Sequence, residues 1–98
     1  MTEVEQLRKA VAAPCRRYPV RRLRLFGSLA RNEGSDSSDV DLLVTFEPGA
    51  KVGLLMLARM QRELSELLGL NVDLVPEDGL KPHVAAEVLN DARVLFET

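Results

Sequence analysis

Aromatic side chains are scarce in this 98-residue chain: three phenylalanines, one tyrosine and no tryptophan. Proteins that hold single-stranded nucleic acid stack its bases on aromatic rings, and those that hold duplexes carry a net positive charge. The scarcity of rings and a net charge of −2 therefore argue against a nucleic-acid binder. Cysteine occurs once, at Cys15, which excludes an internal disulfide framework and suits a reducing compartment. The single histidine, His83, stands at the start of a helical stretch and reads as a surface residue. Long apolar runs are missing too: the longest, "LLMLA" at 54–58, is far too short to cross a bilayer. The opening "MTEVEQLRKA" carries acidic residues and no continuous apolar centre, so it reads as no signal peptide. The expectation is a cytoplasmic protein that makes no membrane contact.

What is present is ordinary in amount and unusual in placement. A hydrophobic fraction of 46% in a chain of this length suits one small domain over residues 1–98 and excludes disorder. Ten of the thirteen basic residues are arginine, and Arg16, Arg17, Arg21, Arg22 and Arg24 crowd the stretch "CRRYPVRRLRL". Arginine suits planar contact with phosphate or carboxylate, but a charged turn and a solvated strand edge account for the cluster equally well. Tyr18 beside it reads as a packing residue.

The periodicities give an α/β chain. Val4, Leu7 and Val11 mark one face of a helix over 2–13, with Thr2 and Glu5 at capping-box spacing and Pro14 as its stop. "VRRLRLF", 20–26, alternates as a strand. "SLARNE", 28–33, reads as a short helix ended by Gly34, followed by a polar loop in which Glu33 and Asp36 are solvated acids. "DVDLLVTF", 39–46, is a second strand with Val40, Leu42, Val44 and Phe46 on one face and Asp39, Asp41, Leu43 and Thr45 on the other. The longest helix spans 53–68, with Leu57, Met60, Leu64 and Leu67 as its core stripe and Gly69 as its C-terminal stop. "NVDLV", 71–75, is a third strand, Pro82 opens a helix to about Asn90, and "RVLFE" is a last strand.

Two features ask for chemistry. Aspartate gains little from a pleated surface, yet Asp39 and Asp41 stand at i and i+2 of a strand and point the same way. Like charges side by side repel unless a cation lies between them. Asp73, flanked by the apolar pair Val72 and Leu74, joins them on one open face if its strand neighbours theirs. Hard oxygen ligands of this kind suit Mg²⁺ or Mn²⁺, and two such ions can assist an in-line displacement that expels pyrophosphate. The second feature is Gly27-Ser28. Gly27 leaves room for a phosphate, Ser28 can cap the following helix, and Arg31 one turn on could reach the same anion. The segment "GSLARNEG" lacks the ending of a Walker loop, and the acidic spacing is wrong for an EF-hand.

Gly-Ser, ten intervening residues, Asp-x-Asp in an apolar strand and a later strand aspartate together resemble the DNA polymerase beta-like nucleotidyltransferase superfamily. More narrowly, "LFGSLARNE", "SDVDLLV", the long helix running into "ELLGLNVDLV", then "LKP" and a closing helix are similar to the minimal nucleotidyltransferase (MNT) family. The chain departs from that pattern at Asn32, where glycine is usual. The resemblance implies a small mixed sheet of four strands with helices packed on one face. It implies that Gly27 and Ser28 hold nucleotide phosphates, that Asp39 and Asp41 ligate two Mg²⁺ ions, and that Asp73 ligates the catalytic one and assists deprotonation of the acceptor. It further implies that ATP is the donor and that AMP passes to a tyrosine of a HEPN-type ribonuclease toxin, for which the protein is the antitoxin. A chain this short needs its acceptor site from a second copy or another protein. The competing expectation is a non-catalytic module that neutralises a partner by contact alone. Three carboxylates on one face favour the enzyme.

Overall fold

The computed structural model describes residues 4–27, 30 and 39–98. Along the chain run α1 (Val4–Arg17), β1 (Val20–Phe26), β2 (Val40–Phe46), α2 (Leu54–Leu68), β3 (Val72–Pro76), a single 3-10 turn (Glu77–Gly79), α3 (Pro82–Asp91) and β4 (Arg93–Glu97). The strands form one sheet in the order β3-β2-β1-β4. β1 pairs antiparallel with β2 and with β4, while β2 and β3 are parallel. Parallel neighbours need a crossover, and α2 supplies it. The result is an α+β fold built on a four-stranded mixed sheet, as the family resemblance implied. No helix among the described residues is long and apolar enough to cross a membrane.

α1 and α2 cover one face of the sheet. Leu7, Val11 and Cys15 recur every four residues along α1 and are all buried. Met60 and Leu64 do the same on α2, against Leu23, Leu25, Val40, Leu42, Val44 and Leu74 of the strands. Burial of its thiol among these side chains pushes the Cys15 pKa up to about 12, so the residue is a core hydrophobe and not a nucleophile. Tyr18 packs against the same core and donates its hydroxyl to Glu63 of α2 at 2.8 Å. The carboxylate of Glu63 also pairs with Arg17, so the end of α1 is tied to the middle of α2.

Two expectations are corrected. Pro14 does not stop the first helix, which continues to Arg17 with Pro14 inside it. The ring costs one helical N–H, but both Pro14 and Cys15 are buried, and packing of that last turn outweighs the missing bond. Leu67 is not part of the α2 stripe: it is 51% exposed, and Leu68 packs against the core instead. At 3.6 residues per turn the inward position drifts, and four residues after Leu64 it falls on Leu68. Gly69 does end the helix, in the left-handed region at φ 67°, its N–H donating to Ser65 O at 2.9 Å. The Thr2 half of the expected cap and, apart from Ala30, the short helix expected over 28–33 fall outside the described residues, as do Gly34 and Asp36.

Candidate active site

Strand register brings the chemistry together. Antiparallel pairing sets Phe26 opposite Asp41, and parallel pairing sets Asp41 opposite Asp73. Residues opposite one another share a face, so Asp41 and Asp73 stand side by side on the face turned away from α1 and α2. Asp39 precedes β2 and is exposed, as is Asp73, whereas Asp41 is half-buried. The start of this strand pair is held by a bond from Val40 N to Asn71 O at 2.8 Å. Burial raises the Asp41 carboxyl above its ordinary value, and the negative charges of Asp73 and then Asp39 raise it further.

Gly27 completes this end of the sheet. It leaves β1 at φ 78°, a conformation that side chains strain to adopt. A methyl group on its Cα would run into Asp41 Oδ2 and lie 3.3 Å from Cγ. The bare backbone of Gly27 is therefore what leaves room for the Asp41 carboxylate. Ser28 and Arg31, the other two residues expected to face a nucleotide, lie outside the described residues.

Among the described residues no three His, Cys, Asp or Glu side chains are gathered closely enough to hold a metal ion between them. The donor set still suits a hard divalent cation: three carboxylates at one end of the strand pair, with Asp41 destabilised as an anion by burial and then by the charges of Asp73 and Asp39. A cation at this position would offset the mutual repulsion of these charges.

Two supporting residues escaped the sequence reading. β3 is an edge strand, and its Leu74 N–H donates to the side-chain Oε1 of Gln61 on α2 at 2.9 Å, which fixes the backbone next to Asp73. Glu77 accepts from Arg24 Nη1 at 2.8 Å and from Thr45 Oγ1 at 2.9 Å, joining β1, β2 and the turn after β3 on the carboxylate face. Both contacts span long separations in sequence and leave no local pattern. Partial burial opposes ionisation of Glu77, but the bonds from Thr45 and Arg24 and the charges of Arg24 and Arg22 win and lower its pKa from 4.5. A lowered folded-state value means stability that is present above the unfolded value and lost as pH falls through the folded one. Glu77→Gln should therefore cost about 1 kcal/mol near neutral pH, a charged hydrogen bond discounted for partial exposure. The difference from wild type should shrink as pH drops below 4.5. Thermal melts of both proteins across that range check it.

A sheet of this topology, with an aspartate pair at the start of one strand, a third aspartate beside it and a glycine turn against the pair, defines a class. The nucleotidyltransferase domain family matches residues 5–95, and the chain belongs to it. Within that family it is similar to minimal members. The protein adenylyltransferase MntA of Thermococcus cleftensis is 39% identical over 92 residues, covering 93% of this chain and 91% of that one. A solved structure assigned as a minimal nucleotidyltransferase is 44% identical, with a TM-score of 0.77 and 94% and 95% of the two chains covered. The fold also matches a chain from the complex of a tri-AMPylated HEPN toxin with its MNT antitoxin from Shewanella oneidensis. There the TM-score is 0.74 at 17% identity, covering 98% of this chain and 74% of that chain. The chain is thus an enzyme of the nucleotidyltransferase class.

Proposed function

We propose that residues 1–98 act as one protein adenylyltransferase domain that moves AMP from ATP to a hydroxyl of a partner protein, a tyrosine of a HEPN-type ribonuclease toxin, and so serves as its antitoxin. The observation that carries this reading is the pairing of Asp41 with Asp73 across parallel strands, with Gly27 opened against Asp41. The similarity to MntA of Thermococcus cleftensis supports adenylyl transfer to protein. Asp39, Asp41 and Asp73 would hold Mg²⁺, which supplies neutralisation of the triphosphate and of the leaving pyrophosphate. Asp39, just before β2, and Asp41 would be the ligands shared by a two-ion site, and Asp73 would serve the ion that activates the acceptor. Gly27 and Ser28 would hold the nucleotide phosphates, and Arg31 would serve as a bidentate donor to them.

In the transfer, the acceptor oxygen attacks the α-phosphorus of ATP. A new O–P bond forms, the bond from the α-phosphorus to the bridging oxygen breaks, and pyrophosphate departs with that electron pair. The acceptor proton passes to the carboxylate of Asp73. Incubation of the chain with ATP, Mg²⁺ and a candidate HEPN-type partner should raise the partner's intact mass by one or more AMP groups. A partner that is bound and silenced at unchanged mass would establish the non-catalytic module instead.

A further inference from the structure

The far end of β2 carries a second feature that transfer chemistry does not use. A cleft of about 630 Å³ opens between the ends of β2 and β3 and the start of α2, lined among others by Phe46, Val52, Leu57 and Pro76. Its charged lining residues are Glu47, Glu77 and Asp78, with no basic side chain. Glu77 is paired with Arg24 and Glu47 Oε1 accepts from Thr98 Oγ1 at 3.0 Å, so both hold negative charge at the rim, and Asp78 is exposed beside them. The cleft begins at Thr45, four residues along β2 from Asp41, a distance of about 13 Å at the rise of a strand. An occupant there would leave the carboxylate site open.

Beside this cleft stands its complement. Leu54 and Leu55, in the first turn of α2, are 85% and 81% exposed, the two most exposed large apolar side chains among the described residues. Leu54 forms part of the cleft's rim, while Leu55 begins a stripe that continues at Arg59 and Arg62, at i+4 and i+7 on the same helix face. Both arginines are exposed, and neither forms an ion pair among the described residues. Adjacent exposed leucines at a helix start gain nothing in a free monomer, where water must surround them.

We propose that this surface joins two copies of the chain in a two-fold dimer, the leucine turn of each copy set in the cleft of the other. A two-fold interface needs one patch that complements itself. Here an apolar knob flanked by arginines lies next to an apolar cleft rimmed by carboxylates. The two are complementary in charge and in apolar character, and Leu54 belongs to both, being part of the leucine turn and of the cleft lining. The two carboxylate sites then sit at the opposite ends of their sheets, each open to an acceptor.

Sedimentation velocity on the full chain tests this without any other molecule. Wild type should sediment at twice the 10.9 kDa chain mass. The double variant Leu54→Glu/Leu55→Glu should lose the dimer and keep its helical circular dichroism, because neither side chain is in the core. Arg59→Glu/Arg62→Glu and Glu47→Lys/Asp78→Lys should each be monomeric alone. Mixed in equal amounts, they should form a dimer again, because each knob then meets a cleft of opposite charge. A monomeric wild type at every concentration overturns the proposal. So does a dimer that the leucine variant leaves intact, or a pair of charge variants that mixing does not restore. None of these outcomes depends on catalysis.

Discussion

Gly27→Ala should reduce AMP transfer by at least about 10²-fold, the loss that a misplacement near 1 Å at a reacting centre causes. Two effects act at this position. The left-handed backbone at φ 78° costs an alanine about 1–2 kcal/mol. The new methyl group also meets the Asp41 carboxylate, and either the turn or the aspartate must move. Gly69→Ala separates the two. Gly69 has φ 67° and nothing within 4 Å of a Cβ, so it carries the backbone penalty without the collision. Gly27→Ala should lose at least as much thermal stability as Gly69→Ala in melting experiments, because it carries the collision as well. Only Gly27→Ala should lose transfer, measured as AMP incorporated into the partner. Equal transfer by both variants would mean that the fit of Asp41 against the turn is irrelevant to the chemistry.

The largest contrast should come from the aspartates. On the proposed function, Asp41→Asn and Asp39→Asn remove carboxylates that would hold the Mg²⁺-bound triphosphate, so nucleotide affinity and transfer should fall together. Asp73→Asn should leave Mg²⁺-nucleotide affinity within a few-fold of wild type and lower transfer by about 10²-fold or more, the scale of a lost general base. The register underlies this difference: β2 and the residue before it bring Asp41 and Asp39, and its parallel neighbour brings a single carboxylate beside Asp41. Metal-free Asp73→Asn should also melt no lower than wild type, because it removes one of the charges that press on Asp41. Titration calorimetry with a non-hydrolysable ATP analogue and a transfer assay on each variant provide the comparison. Normal transfer by Asp73→Asn would remove this residue from the reaction.

Much of the fold could be read from local pattern. The bounds of β1 follow from Leu23 and Leu25 alternating with Arg22 and Arg24, and those of α2 from its apolar stripe and the glycine that ends it. These are short-range effects of side-chain period and backbone preference, which neighbours in sequence decide. Where packing competes with local preference, sequence reading fails: burial around Cys15 carries α1 through Pro14, and helical drift exchanges Leu67 for Leu68. Leu43 shows the same limit. It lies on the polar side of β2 by alternation, yet it is fully buried, flanked in register by Arg24 and Val75.

For the site, the sequence by itself determined which residues are available: two aspartates on one side of a strand, a third in a later strand and a glycine at the end of an earlier one. Only the tertiary structure decided that Asp73 stands beside Asp41, because strand order and register depend on long-range pairing that α2 makes possible by crossing over the sheet. It decided also that Gly27 accommodates the Asp41 carboxylate, and that Gln61 and Glu77 brace the strands around it. Each of these is a contact between side chain and backbone, or between side chains, distant in sequence. Such contacts exist only after the hydrophobic face has been buried and the strands have been brought into register.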